Sequence, residues 1–344
     1  MKVVHFALLI FLATAIELGR GAELPAVIDR PAAGAGPTQI SVGIWIVDIT
    51  NIDSAQQNFT ADLAIVLRWK DARLAHTGTG VAHYALDQIW TPRVGIANET
   101  SSVVRKFPES AEVDPDGTVR YRQRYVGSFT QPLRLQSFPF DRQVFRIQFV
   151  AIRYGPNEVA LVPDEDWIRN GVTHAGGIAP AITLPDWTVE KWETKPLTYA
   201  LAPGFEYPGY AFEFTASRDV QPYILKVILP LILIVMMSWS GFWIDPVNAS
   251  SQISVAVTSM LTLIAYRFAV DTQLPRLPYM TRLDALFLIS TLLVFFSLIE
   301  VLVTTILDNN QQTERAKALD RYCRVIFPAI FAIACIAILA HPRG

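Results

Sequence analysis

The chain has 344 residues, 51% of them hydrophobic, a formal net charge of −2 and two cysteines. So even a balance leaves no basic face for nucleic acid, and the cysteines, at 323 and 335, leave everything before them without a disulfide to staple it. No metal-spaced His/Cys cluster, nucleophile elbow or phosphate-cradling glycine loop is present, which argues against an enzyme and implies neither cofactor nor metal.

Residues 1–22 open with Lys2, continue through an apolar run from Val3 to Ile16 and end on Gly19, Gly21 and Ala22. That order reads as a signal peptide, with a retained anchor helix as the alternative. Residues 23–220 read as one exported β domain. Ser41–Asp48 and Ala61–Trp69 are strand-length runs rich in β-branched and aromatic residues. Asp116-Gly117 signals a hairpin turn before the alternating run Thr118–Val126, whose Arg120, Arg122 and Arg124 share one face toward water or a ligand. A short helix is expected near Val81–Asp87, and Asp164, Glu165 and Asp166 read as a solvated loop. Strands of this length between Pro, Gly, Asn and Asp turns predict an all-β sandwich of the immunoglobulin-like class.

At Gln221 the composition changes. Four apolar spans are predicted, at about 222–243, 250–270, 281–307 and 318–340, making residues 221–344 an all-α four-helix transmembrane domain. Pro230 lies inside the first span, where membrane helices tolerate it. Glu300 falls inside the third, near enough to Asp308 to reach the interface. Arg315, Lys317, Arg321 and Arg324 place the last connection in the cytoplasm and the β domain outside.

The second span carries the most chemistry. Ser250, Ser254, Thr258, Leu261, Ala265 and Phe268 recur at spacings of four or three and share one helical face, hydroxyl in its first half and apolar in its second. Hydroxyls facing water replace part of an ion's hydration shell, and a ring of Leu261 side chains forms a constriction that gates by dewetting. One helix encloses no channel, so this reading requires an oligomer. The competing reading makes Ser and Thr small residues at helix–helix contacts.

Several segments resemble the pentameric ligand-gated ion channels, the Cys-loop receptor superfamily, and its prokaryotic members in particular. Phe138-Pro139-Phe140-Asp141-Arg142-Gln143 resembles the core of the family's signature loop, with Gln131 and Phe145 where animal members have the bracketing cysteines. Ile89–Pro92, Trp69–Asp71, Ile228–Pro230, Ser238-Trp239, Phe242-Trp243, Leu274–Tyr279 and Arg324–Pro328 resemble further family motifs in the family's order. The resemblance implies a homopentamer in a lipid bilayer, multi-pass in the cell (inner) membrane, with the β domain periplasmic or extracellular and a small-molecule agonist site between neighbouring sandwiches. It implies a coupling group of Asp141, Arg218, Pro139, Pro275 and Pro278 at the membrane face.

For the ligand site the resemblance points to Trp45 and, in the segment 187–210 that resembles the capping loop, to Trp192, Phe205 and Tyr207. Gln148–Arg153 places aliphatics and an arginine where amine-binding members carry an aromatic and often an acid. Arg153 and Arg122 would repel an ammonium and attract a carboxylate, so an organic acid is the expected agonist. Gly43–Asp48 and Trp69–Asp71 resemble proton-gated bacterial members, but Gln57 and Leu263 replace that group's acid and pore histidine, so any pH dependence would use other groups. Asp271 at the outer pore mouth and Asp245 at the inner mouth are candidate carboxylate rings, and favour monovalent cations as the permeant ions. The alternative class, a membrane-anchored ligand-binding or adhesion module, needs one span and leaves the polar stripe unexplained.

Overall fold

In β1 (Thr38–Asp53) Ile40, Val42, Ile44 and Ile46 are buried, and in β2 (Asn58–Lys70) Phe59, Ala61, Leu63, Ile65, Leu67 and Trp69 are. An apolar period of two selects a strand with one face on a core. The computed structural model describes residues 28–31, 34, 36–100, 103–271 and 277–339, so the expected signal peptide and Pro275 lie outside the described residues. The remaining strands are β3 (Ala82–Ala85), β4 (Val94–Ile96), β5 (Val104–Arg105), β6 (Ser110–Val113), β7 (Thr118–Thr130), β8 (Arg142–Ala151), β9 (Val159–Pro163), β10 (Gly176–Ile178), β11 (Trp187–Ala202) and β12 (Phe205–Arg218). One sheet runs β10-β1-β2-β7-β6-β3, with β9 on β1 and β5 on β7; the other runs β11-β12-β8-β4.

Between the sheets lies an aromatic core. Phe59 meets Phe129, Phe145 and Phe214 at 5.4–5.5 Å between centroids, Phe145 stacks on Phe214 at 4.9 Å, and Trp187 closes edge-on at 5.6 Å. Each buried Phe contributes roughly 2–3 kcal/mol. The cluster sits at the end of the sandwich where β8 starts and β12 finishes, Arg142 pairing with Ser217. It therefore holds rigid the strands from which the membrane-facing loop and the first membrane helix emerge.

Two local expectations are corrected. The helix expected near Val81–Asp87 is β3, which pairs with β6 from Ala82↔Val113 to Ala85↔Ser110; an isolated helix that short nucleates poorly, while a free sheet edge supplies partners. Asp164 is fully buried, not solvated. It pairs with Arg68 at 3.3 Å and accepts the N–H groups of Asp166 and Trp167, capping a short helix α1 (Glu165–Arg169). The arginine row of β7 meets water, as expected, but each arginine has an acidic neighbour. Arg120 pairs with Asp114, Arg122 with Glu112 at 2.7 Å, and Arg124 with Asp62 at 2.6 Å.

The membrane part comprises α2 (Gln221–Trp243), α3 (Ala249–Asp271), α4 (Arg282–Asn309) and α5 (Thr313–Leu339). All four helical segments are long and apolar enough to span a bilayer. Thr281 and Asp284 form a reciprocal capping box at the start of α4. Gln252, buried on α3, donates to the carbonyls of Gly241 and Ile244 at 3.3 and 2.8 Å, satisfying the end of α2. Glu300 is buried inside the bundle, as is Asp320 of α5.

Candidate functional site

The junction between the two parts is built from the loop 131–141, the last residue of β12 and the first turns of the membrane helices. Gln143 pins the loop, donating to Arg134 O at 2.7 Å and to Asp141 Oδ2 at 2.9 Å while accepting Arg134 N–H at 3.2 Å. Asp141 takes a fork from Arg218, Nε to Oδ1 at 2.9 Å and a terminal nitrogen to Oδ2 at 3.2 Å. Their side chains keep only 1% and 4% of their exposure, so neither charge is dissolved in water. Arg218 also donates to Ser54 Oγ at 3.0 Å and lies over the rings of Trp187 and Phe138 at 4.2 and 4.8 Å. Bidentate geometry, a neutral donor to the carboxylate and aromatic faces together offset the desolvation of both ions. A polar cleft of about 250 Å³ opens beside the pair, lined by Asp53, Ser54, Asp186 and Tyr223 among others.

The same loop rests on the membrane helices. Leu135 N–H donates to Tyr279 Oη at 3.2 Å, and Arg282 N–H, at the start of α4, donates to Gln136 O at 3.1 Å. Phe138 meets the ring of Tyr223 of α2 edge-on at 5.1 Å, and the Phe138–Pro139 peptide bond is cis. Pro278 is exposed beside Tyr279. The loop therefore touches α2 and α4 together. Of the expected coupling residues the structure brings Asp141 and Arg218 into contact; the sequence did not reveal Ser54 and Tyr223 as partners of Arg218, nor Tyr279 as a partner of the loop, although Tyr279 is an aromatic with a polar tip next to a proline.

On α3 the two faces separate. Gln252, Ala256, Ser259, Leu263 and Val270 are buried against the other helices. Ser250, Ser254, Thr258, Leu261, Ala265 and Phe268 are all exposed, Leu261 and Phe268 at 62% and 70%. Ser259 and Thr262 spend their hydroxyls on carbonyls of their own helix, Val255 O and Thr258 O, both at 2.8 Å. Both candidate mouth carboxylates have basic neighbours. Asp271 lies 3.7 Å from Arg267 one turn earlier, and Asp245 lies 3.4 Å from Lys317 of α5. Asp245 also accepts Val247 N–H at 3.3 Å, capping the turn that leads into α3.

The proposed ligand residues are distributed over both sheets. Pairing of Gly209 with Val150 brings the start of β12 and the end of β8 to one end of one sheet, so Phe205, Tyr207 and Arg153 share that end. Phe205 and Arg153 are exposed there and Tyr207 is half-buried. Trp192 lies further along the hairpin, stacked on Phe212 at 5.7 Å with His174 edge-on at 6.1 Å. Trp45 is on the other sheet, where Gly177 leaves room for its ring: a Cβ there would come within 2.2 Å of it. Arg122 is occupied by Glu112. Within one chain the six residues do not meet.

The amino-terminal residues 27–193 match the family model described as neurotransmitter-gated ion-channel ligand binding domain, and residues 227–315 match that of the neurotransmitter-gated ion-channel transmembrane region. The chain is 28% identical over 312 residues to the proton-gated ion channel of Gloeobacter violaceus, covering 89% of this chain and 84% of that one. It is 26% identical over 280 residues to the γ-aminobutyric acid receptor subunit theta of Mus musculus and 25% identical over 280 residues to a γ-aminobutyric acid receptor subunit beta of Caenorhabditis elegans. Those alignments cover 79% of this chain, and the chain spans only 42% and 50% of these animal subunits' own length. With a β-sandwich followed by four apolar helices, and both halves matched in order, the chain belongs to the neurotransmitter-gated ion-channel family and is a multi-pass membrane subunit of an oligomeric ligand-gated ion channel, not an enzyme.

Proposed function

We propose that five copies of this chain surround a central pore lined by the face Ser250, Ser254, Thr258, Leu261, Ala265 and Phe268 of α3, and that an agonist bound between neighbouring sandwiches opens it. The observation that carries this reading is the exposure of all six stripe residues on a helix whose opposite face is packed. A row of hydroxyls followed by apolar side chains has no use against lipid, but gives water and ions a path with a constriction at Leu261. Residues 1–22 act as the signal peptide, the β domain is periplasmic or extracellular, and the chain resides in the cell (inner) membrane. Asp141, Arg218, Pro139, Pro275 and Pro278 couple the sandwich to the helices. Monovalent cations permeate, with Asp271 supplying the favourable field, because it continues the stripe while Asp245 is turned to Lys317. Cysteines placed at Thr258 and Leu261 of reconstituted protein should react with water-borne thiol reagents and block single-channel current. Cysteines that react only with lipid-soluble reagents, with no ion flux, would sink the pore reading.

The agonist is an organic acid held by Arg153 at the end of β8 beneath Phe205 and Tyr207, with Trp45, Trp192 and the rim residue Arg122 completing the box from both faces of the interface. Arg153→Ala should raise the half-maximal concentration of mono- and dicarboxylate agonists about tenfold or more, the loss of one charge-assisted pair. A second stimulus, external acidification, is favoured by the similarity to a proton-gated channel. Acid jumps that open Arg153→Ala as they open the unaltered protein, while carboxylates do nothing to either, would replace the first stimulus by the second.

A further inference from the structure

Pro230 has no backbone N–H, so the carbonyl one turn earlier in α2, that of Lys226, loses its ordinary helical donor. Around that carbonyl the helix is widened into a π turn, Ile224–Ile228. In a bilayer such a freed carbonyl finds no water, and a neighbouring helix must satisfy it. Tyr266 of α3 does so. Its hydroxyl lies 2.9 Å from Val227 O and 3.1 Å from Lys226 O and donates to them in a shared, three-centre arrangement. Its ring leans on Phe287 of α4 at 6.0 Å, which fixes where the hydroxyl points.

The segment so gripped is the one that leaves the sandwich. Arg218 donates to Tyr223 Oη at 3.4 Å, and Tyr223 lies one helical turn before Lys226. Contacts therefore run without a gap from Asp141 to Arg218, to Tyr223, along one turn of α2 to the Lys226 and Val227 carbonyls, and through the Tyr266 hydroxyl into α3. The contacts of Leu135 with Tyr279 and of Gln136 with Arg282 lead instead to α4.

We propose that Tyr266 is a positioning residue for gating: its hydroxyl stands in for the amide that Pro230 lacks and fastens the pore helix to the first span, giving the sandwich a route to the pore through α2. The inference rests on the pore reading above. It has a specific rescue. Pro230→Ala returns an N–H to the Lys226 carbonyl and so makes the Tyr266 hydroxyl dispensable.

The test measures current through reconstituted protein opened by carboxylates or by external acidification. Tyr266→Phe should shift the half-maximal stimulus about fivefold or more with an unaltered permeability ratio, whereas Pro230→Ala/Tyr266→Phe should match Pro230→Ala within about twofold. A Tyr266→Phe protein that responds as the unaltered one does, or a shift of equal size with and without Pro230, overturns the proposal while leaving the pore intact. Unaltered protein silent to both stimuli overturns the pore reading and this one with it. Should Tyr266→Phe fail to assemble, the pair Val227→Cys/Tyr266→Cys serves. Oxidation should cross-link α2 to α3 and reversibly change the stimulated current; oxidation without a cross-link, or a cross-link without effect on current, overturns the proposal.

Discussion

At the residue scale the decisive quantity is how far a charge has been taken from water. Asp141 and Arg218 retain 1% and 4% of their side-chain exposure, whereas Arg105 and Glu109 retain 52% and 54%. Both are ion pairs at 2.9 Å, so distance does not separate them. Removing one member of the buried pair strands the other, a loss of about 3–5 kcal/mol, while an exposed pair is worth at most about 1 kcal/mol. Asp141→Asn should therefore lower the unfolding free energy of the purified protein by several times as much as Arg105→Gln. Arg218→Lys should fall between, because lysine keeps the charge but loses the fork to Asp141 and the planar contact over Trp187. Equal losses for all three in denaturant unfolding would show that burial does not set the value. Asp141 and Arg218 were legible in the sequence because each stands in a local pattern. Ser54, which completes the cage of Arg218, was not: it arrives from 164 residues away, brought there by the pairing of whole strands.

At the scale of the element, periodicity was readable wherever the environment itself is periodic. The alternation of β1 and β2 and the four-three spacing of α3 each follow one surface against one core. Irregular elements escaped for the opposite reason. The π turn of α2 meets a hydroxyl 39 and 40 residues further along, and β3 exists because β6 offers an edge. The two faces of α3 give a prediction of their own. Leu261 is exposed on a stripe whose other members near it are small or polar, Thr258 and Ala265. If five such leucines close the pore by excluding water, then exchanging each for a residue that water wets removes the barrier without altering the backbone. Leu261→Thr should give current without any stimulus, and lower the stimulus needed for the rest, in planar-bilayer recordings. Leu263→Thr, on the buried face of the same helix, should instead cost roughly 1–3 kcal/mol of stability by burying a hydroxyl, with no unstimulated current. Indistinguishable behaviour of the two variants would contradict the assignment of faces.

For the whole molecule the question is what field the assembled pore presents to an ion. In the proposed pentamer five copies multiply whatever one copy exposes, and at physiological ionic strength a charge acts over about 8 Å, so a counter-charge within a few ångströms cancels most of its effect. Asp271 continues the exposed face of α3, but Arg267 stands 3.7 Å away on the same helix. That pair is loose and half in water, so each carboxylate ring works against a guanidinium ring just inside it. Asp245 differs. Its carboxylate meets Lys317 at 3.4 Å on α5, a different helix from the one that carries the stripe, and caps the turn before α3. Removing the two cations should therefore have unequal consequences. Arg267→Gln should move the reversal potential in a salt gradient toward the cation limit, and adding Asp271→Asn should reverse the move. Lys317→Gln should leave the reversal potential where it was, because the carboxylate it uncovers precedes α3 and pairs with a helix other than the one that carries the stripe. A shift with Lys317→Gln as large as that with Arg267→Gln would place Asp245 in the inner mouth and make the inner ring the one that selects.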